Sequence, residues 1–332
     1  MDDSVLNAIH QNIQDARRIL TAAHIRPDGD AVGSLVGLGL ALQAAGKEVQ
    51  MVLVDKVPAS YRFLEGANQV LTKATGKFDC VIVLDCSDLL RSGDALKVTG
   101  EGGETTGLAP DINIDHHPTN LEFARLNLVN PEAVATSEIL ARHLTDFGLP
   151  LTQPVANALL TGIVTDTIGF RTSNMNPQVL HLAASLMDAG ADLPEIYSHA
   201  LSQRSFQAAR YWGAGLSKLK REGPLVWTTL TLADRSAAEY PGRDDADLIN
   251  VMSAIEGAEV ALLLVEQKRG AVKVSWRAQP GLDVSQIALR FGGGGHKAAA
   301  GAEIEGALDD VQDKVLMATR ELFSNFNGHD TH

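Results

Sequence analysis

Short apolar runs alternate with stretches of helical spacing through the first half of the chain. Ile19–Ile25 reads as a strand, and Ala31–Ala45 sets Val32, Leu35, Val36, Leu38 and Leu42 at helical spacing. Glu48–Val54, Cys80–Leu84 and Asp111–Ile114 read as three further strands. This alternation predicts an α/β fold: a parallel, doubly wound sheet with helices on both faces. Ala133–Phe147, Gln153–Thr167, Gln178–Ala189, Glu195–Leu201 and Phe206–Leu219 continue as helices. The texture then changes. Leu225–Leu232, Val260–Glu266 and Val272–Trp276 read as strands, and Asp245–Ile255 and Val284–Phe291 as helices, before a glycine run, Gly292–Gly295, that ends in His296. The expected organisation is a first domain over 1–205, a helical linker over 206–221 and a smaller mixed α/β domain over 222–332. No internal repeat is visible.

At 332 residues the chain suits two domains, and 45% hydrophobic residues are enough for ordinary cores. Lys and Arg number 28 against 41 Asp and Glu, a net charge of −13. That argues against a broad basic surface and so against long duplex nucleic acid. A small anionic substrate stays open, because bound metal and a few arginines make a local positive pocket. Cys80 and Cys86 have neither redox nor zinc-site spacing and read as small buried residues. Met1–Ile19 is charged and lacks an apolar signal core, and no apolar stretch reaches the ~18–20 residues that span a membrane. A cytoplasmic protein without membrane contact is expected. His329 and His332 are expected on a mobile tail.

The candidate chemistry sits at the ends of the predicted strands, where ligands bind in such sheets. His24, Asp28 and Asp30 surround an Arg26-Pro27-Asp28-Gly29 turn. Asp30 by itself also suits an N-cap for the helix starting at Ala31. Asp85 follows the buried run Val81–Leu84, and Asp88 is a nearby alternative that suits a turn cap. Asp115-His116-His117 offers two imidazoles pointing in different directions, with Asp115 able to orient one of them. Asp166 lies on the apolar helical stretch Ala158–Ile168, where a carboxylate is costly unless paired or metal-bound. Oxygen and nitrogen donors without sulfur suit manganese or magnesium. The Gly292–Gly295 run reads either as a phosphate nest or as a hinge. Arg277 and Ser275, on the strand before it, suit the same cleft or a solvated face, and Arg171 suits a phosphate contact or a surface ion pair.

Taken in order, these motifs resemble the DHH phosphoesterase family, in its subgroup with a DHH-associated C-terminal domain and the nano-RNase/pAp phosphatase type. The resemblance runs from His24 to about Gly301. It implies a catalytic domain over 1–205 and a substrate-binding domain over 222–332. It also implies two manganese ions, with magnesium or cobalt as alternatives. His24 and Asp28 would hold one ion, Asp30, His116 and Asp166 the other, and Asp85 would bridge them. His117 would contact the scissile phosphate. Arg277, with Gly293, Gly294, Gly295 and His296, would grip the rest of the substrate. The family usually has Arg-Ser where this chain has Arg277-Ala278, which keeps the charge and loses a hydroxyl.

The implied activity is metal-dependent hydrolysis of short oligoribonucleotides such as pApA to mononucleotides, with 3′-phosphoadenosine-5′-phosphate as a second substrate. The cleft between the domains would close over a short substrate, and the working unit would be a homodimer. A cyclic di-AMP phosphodiesterase is the alternative within the same chemistry. A nucleotide-binding regulator would have lost metal ligands, and all the ligand types are present. A nicotinamide-dependent oxidoreductase would need a glycine fingerprint where this chain has Pro27-Asp28-Gly29-Asp30.

Overall fold

The computed structural model describes residues 3–99 and 105–324 and divides into two units, Met1–Gln203 and Arg204–His332. His329 and His332 lie outside the described residues. In chain order the first unit contains α1 (Asp3–Asp15), β1 (Arg18–Ala22), α2 (Gly29–Ala44), β2 (Glu48–Val52), β3 (Cys80–Leu84), β4 (Lys97–Thr99), β5 (Thr105–Gly107), β6 (Ile112–Asp115) and β7 (Leu126–Val129). It continues with α3 (Thr136–His143), α4 (Gln153–Asp166), α5 (Pro177–Asp188) and α6 (Leu193–Ile196). Its main sheet has five strands in the order β2-β1-β3-β6-β7, all parallel.

Alternation along the strands divides the core. Ile19, Cys80, Ile82 and Leu84 face the helices and pack with Leu35, Leu38, Ile139 and Leu159. Leu20, Ala22, Val81 and Val83 face the other way and pack with Ala95, Leu96 and Val98. The expected α/β class holds, with one correction. That second face is covered by Ala95 and Leu96 and by Val98 of the β4–β5 hairpin, where a helix was expected. The connection Ser87–Asp94 is too short and too rich in turn residues for a helix, and Gly93 turns with φ +57°.

The second unit contains α7 (Phe206–Leu216), β8 (Lys220–Glu222), β9 (Leu225–Leu230), α8 (Leu232–Ala237), α9 (Leu248–Met252), β10 (Val260–Gln267), β11 (Ala271–Ala278), α10 (Ser285–Arg290), β12 (Gly294–His296), β13 (Ala299–Glu305) and α11 (Leu308–Ser324). Its mixed six-stranded sheet runs β12-β13-β11-β10-β9-β8. Trp276, Val315 and Val284 form a core on one face, and Tyr211, Leu248 and Leu263 form one on the other. The segment expected as a helical linker differs from that reading. α7 buries Tyr211 completely within the second core, and Lys220–Glu222 pair with β9. The apolar stripe Ala208, Tyr211, Gly215 belongs to this unit because burying it on the second sheet removes it from water.

Candidate metal centre

The turn after β1 is set by local hydrogen bonds. His24 is buried, and its Nδ1–H donates to the Ile25 carbonyl at 2.7 Å, which leaves Nε2 to face inward. Arg26 turns the chain with φ +56°, and its N–H donates to Asp55 Oδ2 at 2.7 Å. Asp28, and not Asp30, is the N-cap of α2: its Oδ1 accepts from the N–H groups of Asp30 and Ala31, both at 3.0 Å. Asp30 is therefore free of the cap and buried in the first turn of α2.

Two further elements close on Asp30. The N–H groups of Thr136 and Ser137 donate to its two oxygens at 2.6 and 2.9 Å. They are available because α3 starts at Thr136, not at Ala133 as the pattern suggested, so these N–H groups have no partner inside the helix. α2 and α4 approach closely through glycines. A Cβ at Gly33 would lie 2.5 Å from the Ala158 carbonyl, and one at Gly162 would lie 2.6 Å from Asp30 Oδ1.

Asp85 follows β3 in the left-handed region, φ +52°, with its N–H on the Ile114 carbonyl at 3.0 Å. This costly conformation turns a buried carboxylate toward both neighbouring imidazoles. Oδ2 lies 3.4 Å from His24 Nε2 and Oδ1 lies 3.8 Å from His116 Nε2. Thr136 Oγ1 donates to Oδ1 at 3.1 Å. His116 is fixed through Nδ1, which donates to the Ala133 carbonyl at 3.2 Å, and its Nε2 is 3.4 Å from Asp166 Oδ2. His117 Nδ1 is 2.7 Å from Asp115 Oδ1, and Asn120 Nδ2 holds the other Asp115 oxygen at 2.6 Å. Asp88 caps the turn after β3 and stays out of the cluster.

Asp166 ends α4 and runs into an unusual loop. Ile168, Gly169 and Phe170 take φ +50°, +71° and +66°, and Tyr197 Oη donates to the Gly169 carbonyl at 3.1 Å. Arg171 Nε, the candidate phosphate contact, donates to the Ile168 carbonyl at 3.0 Å.

Among the described residues of the first unit, three side-chain groups thus have ligand atoms close enough to share an ion: His24, Asp28 and Asp85; Asp30, His116 and Asp166; and Asp85, Asp115 and His117. Burial opposes charge on His24, but Asp28 and Asp85 outweigh it and push the imidazole up to about 11. Burial likewise opposes charge on His116, and Asp166 and Asp85 push it up to about 9. Asp30 is pushed up to about 7 by its burial and by Asp85. Burial also raises the Asp166 carboxyl well above its ordinary range. So much carboxylate with only imidazole and backbone N–H to offset it suits divalent cations, and nitrogen and oxygen donors without sulfur fit hard or borderline ones.

In the second unit the end of the glycine run is not a free hinge. Gly294–His296 forms β12, paired with β13. Close approach explains two of the glycines: a Cβ at Gly293 would lie 2.7 Å from the Ala302 Cβ, and one at Gly295 would lie 2.7 Å from the Ala300 Cα. Arg277 and His296 both stand opposite Ala299 across the sheet, so the three share one face. Ser275, Gly301 and Gly294 form the adjoining row on that face.

The sequence reading missed Thr136, Ser137, Asn120 and Gly162. A Thr-Ser pair near a helix start is the signal that could have pointed to the first two.

Among the described residues no helix is long and apolar enough to cross a membrane. The DHH family N-terminal domain model matches residues 18–163, and the DHHA1 domain model matches residues 238–325. The chain is 36% identical over 309 residues to the bifunctional oligoribonuclease and PAP phosphatase NrnA of Thermus thermophilus, covering 91% of this chain and 89% of that protein. It is 27% identical over 322 residues to the protein of the same name from Mycoplasma genitalium, covering 94% and 98%. A crystal structure of an exopolyphosphatase-related protein from Bacteroides fragilis superposes with a TM-score of 0.83 at 23% identity, covering 98% of this chain and 97% of that one, and shares its fold. With both family models matched and a relative 36% identical along nearly its whole length, the chain belongs to the DHH phosphoesterase family with a DHHA1 domain.

Proposed function

We propose that this chain is a divalent-metal-dependent hydrolase that cleaves short oligoribonucleotides, pApA among them, to mononucleotides, and that also takes 3′-phosphoadenosine-5′-phosphate to AMP. The observation that carries the reading is the placement of Asp85, whose two oxygens face His24 on one side and His116 on the other. The substrate class follows the oligoribonuclease and PAP phosphatase for which the Thermus thermophilus and Mycoplasma genitalium relatives are named.

In this reading His24 and Asp28 would hold one ion, and Asp30, His116 and Asp166 would hold the second. Asp85 serves both. A pair of divalent ions, manganese or alternatively magnesium or cobalt, would lower the pKa of water enough to supply hydroxide near neutral pH. Asp115 fixes the His117 ring through Nδ1, so that Nε2 is presented to a phosphoryl oxygen and offsets charge that develops there. The backbone N–H groups of Thr136 and Ser137 keep Asp30 in place without a competing cation. In the second unit Arg277 and His296 would hold the remaining phosphate or nucleotide, with Gly293, Gly294 and Gly295 letting the chain lie close beside it. The domain over 1–205 is assigned the chemistry and the domain over 222–332 the substrate. The working unit is taken to be a homodimer, which sedimentation would test.

A product assay on the purified chain with added manganese decides the matter. It compares pApA, longer oligoadenylates, cyclic di-AMP, 3′-phosphoadenosine-5′-phosphate and pyrophosphate by chromatography. Fast release of AMP from pApA with slow turnover of cyclic di-AMP is expected. Fast opening of cyclic di-AMP would replace this reading with a signalling phosphodiesterase. No turnover of any of them would overturn the substrate assignment.

A further inference from the structure

Arg277 does not stand alone on its face of the second sheet. Its Nε–H donates to Asn250 Oδ1 at 3.3 Å, and its NH1 donates to the Trp276 carbonyl at 3.3 Å. A guanidinium tied at Nε loses rotation about its long stem, and its remaining N–H groups keep one direction. Asn250 lies on α9, a short helix with little rigidity of its own.

The start of α9 is built with care. Ala246 and Asp247 both take left-handed backbone, φ +52° and +65°. Such a pair is costly and persists only where neighbours over-determine it. Here they do. Trp212 Nε1–H donates to the Ala246 carbonyl at 2.8 Å, and Arg204 NH2 pairs with Asp247 Oδ2 at 2.7 Å. Buried Asp245 accepts from the Ile249 N–H at 3.3 Å. Leu248, Ile249 and Met252 then pin the helix into the core beside Leu263. These contacts hold the short helix that carries Asn250.

We infer that Asn250 is a positioning residue for Arg277, holding the guanidinium pointed at an anionic group of the substrate, with the strained Ala246–Asp247 turn as its support. The inference rests on the reading of Arg277 as a phosphate contact. It adds a residue outside the strand and the glycine run that the family motif contains.

The test is a double-mutant cycle on pApA hydrolysis with manganese, joined to a spectroscopic measurement. Asn250→Ala should raise KM about tenfold, the loss of one hydrogen bond to a charged group, with kcat and metal content held. In an Arg277→Ala background the same change should have no further effect. In the free protein the slowly exchanging Nε–H signal of Arg277, assigned by its loss in Arg277→Ala, should exchange faster in Asn250→Ala. An equal KM rise in both backgrounds, or an unchanged Nε–H signal, would overturn the inference. If Arg277→Ala leaves KM unchanged, the phosphate contact itself fails, and the inference fails with it even where the Nε–H signal responds.

Discussion

Asp115 Oδ1 sits 2.7 Å from His117 Nδ1 and also accepts the His116 backbone N–H at 2.9 Å, so one buried carboxylate orders both halves of the histidine pair. Asp115→Asn keeps the size of the side chain and removes its charge. It should lower kcat by about ten- to a hundredfold with metal content unchanged, the usual cost of losing such an orienting partner. A kcat equal to that of the parent would remove Asp115 from the orientation of His117.

Asp85 lies between the two proposed ion-holding groups, with His24 of one at 3.4 Å and His116 of the other at 3.8 Å. Metal that binds only the folded chain stabilises it by about 2.7 kcal/mol at a hundred times its Kd. Asp85→Asn should abolish the manganese-dependent rise in Tm and the hydrolysis together. The metal-free variant should melt below the metal-free parent, because the buried imidazoles of His24 and His116 lose the carboxylate that pairs with them. Retention of the full metal-dependent rise would overturn the bridging role.

Metal uptake should release protons. Burial opposes charge on the two imidazoles, but neighbouring carboxylates push His24 up to about 11 and His116 up to about 9, and burial and Asp85 push Asp30 up to about 7. All three must lose protons to ligate, so affinity should rise with pH from 6 to 8. Titration calorimetry in buffers of different ionisation enthalpy reads the proton count directly. Heats independent of the buffer would contradict this.

Gly162 tests the close approach of α2 and α4. Replacing a helical glycine by alanine ordinarily stabilises by about 1 kcal/mol. Here the added methyl would lie 2.6 Å from Asp30 Oδ1, so Gly162→Ala should instead destabilise by about 1–3 kcal/mol and weaken metal binding. Denaturant melts that show a gain in stability would refute the packing argument.

The two thiols are silent in the native state. Burial pushes Cys80 and Cys86 each up to about 12, so neither should react with an aromatic disulfide reagent at pH 8 until the chain unfolds. The folded state favours the neutral thiol. Its contribution to stability is therefore complete below the unfolded value near 9 and is lost as pH rises from there toward 12. Rapid labelling of the folded chain would contradict this.

What the chain reveals by itself is local: which stretches alternate, which end in carboxylate or imidazole, and so which residues gather at one edge of a parallel sheet. That was enough to gather His24, Asp28, Asp30, Asp85 and His116, because strand ends converge in this topology whatever the loops do, while Asp166 stood out as a carboxylate on an apolar helix. Helix α11 went unread although Val311, Val315 and Leu316 are buried, since its acidic first turn masks a narrow apolar stripe. Strand β12 was read as a loop, because glycine carries no strand signal and its pairing depends on a neighbour that it meets only in the fold. The capping role passed from Asp30 to Asp28 for a similar reason: either could cap, and the two N–H groups at the start of α3 decided which carboxylate was left to turn inward. Only tertiary structure could set the left-handed turn at Asp85 or the hold of Asn250 on Arg277, because each is a strained or long-range arrangement whose cost is met by contacts far away in the chain.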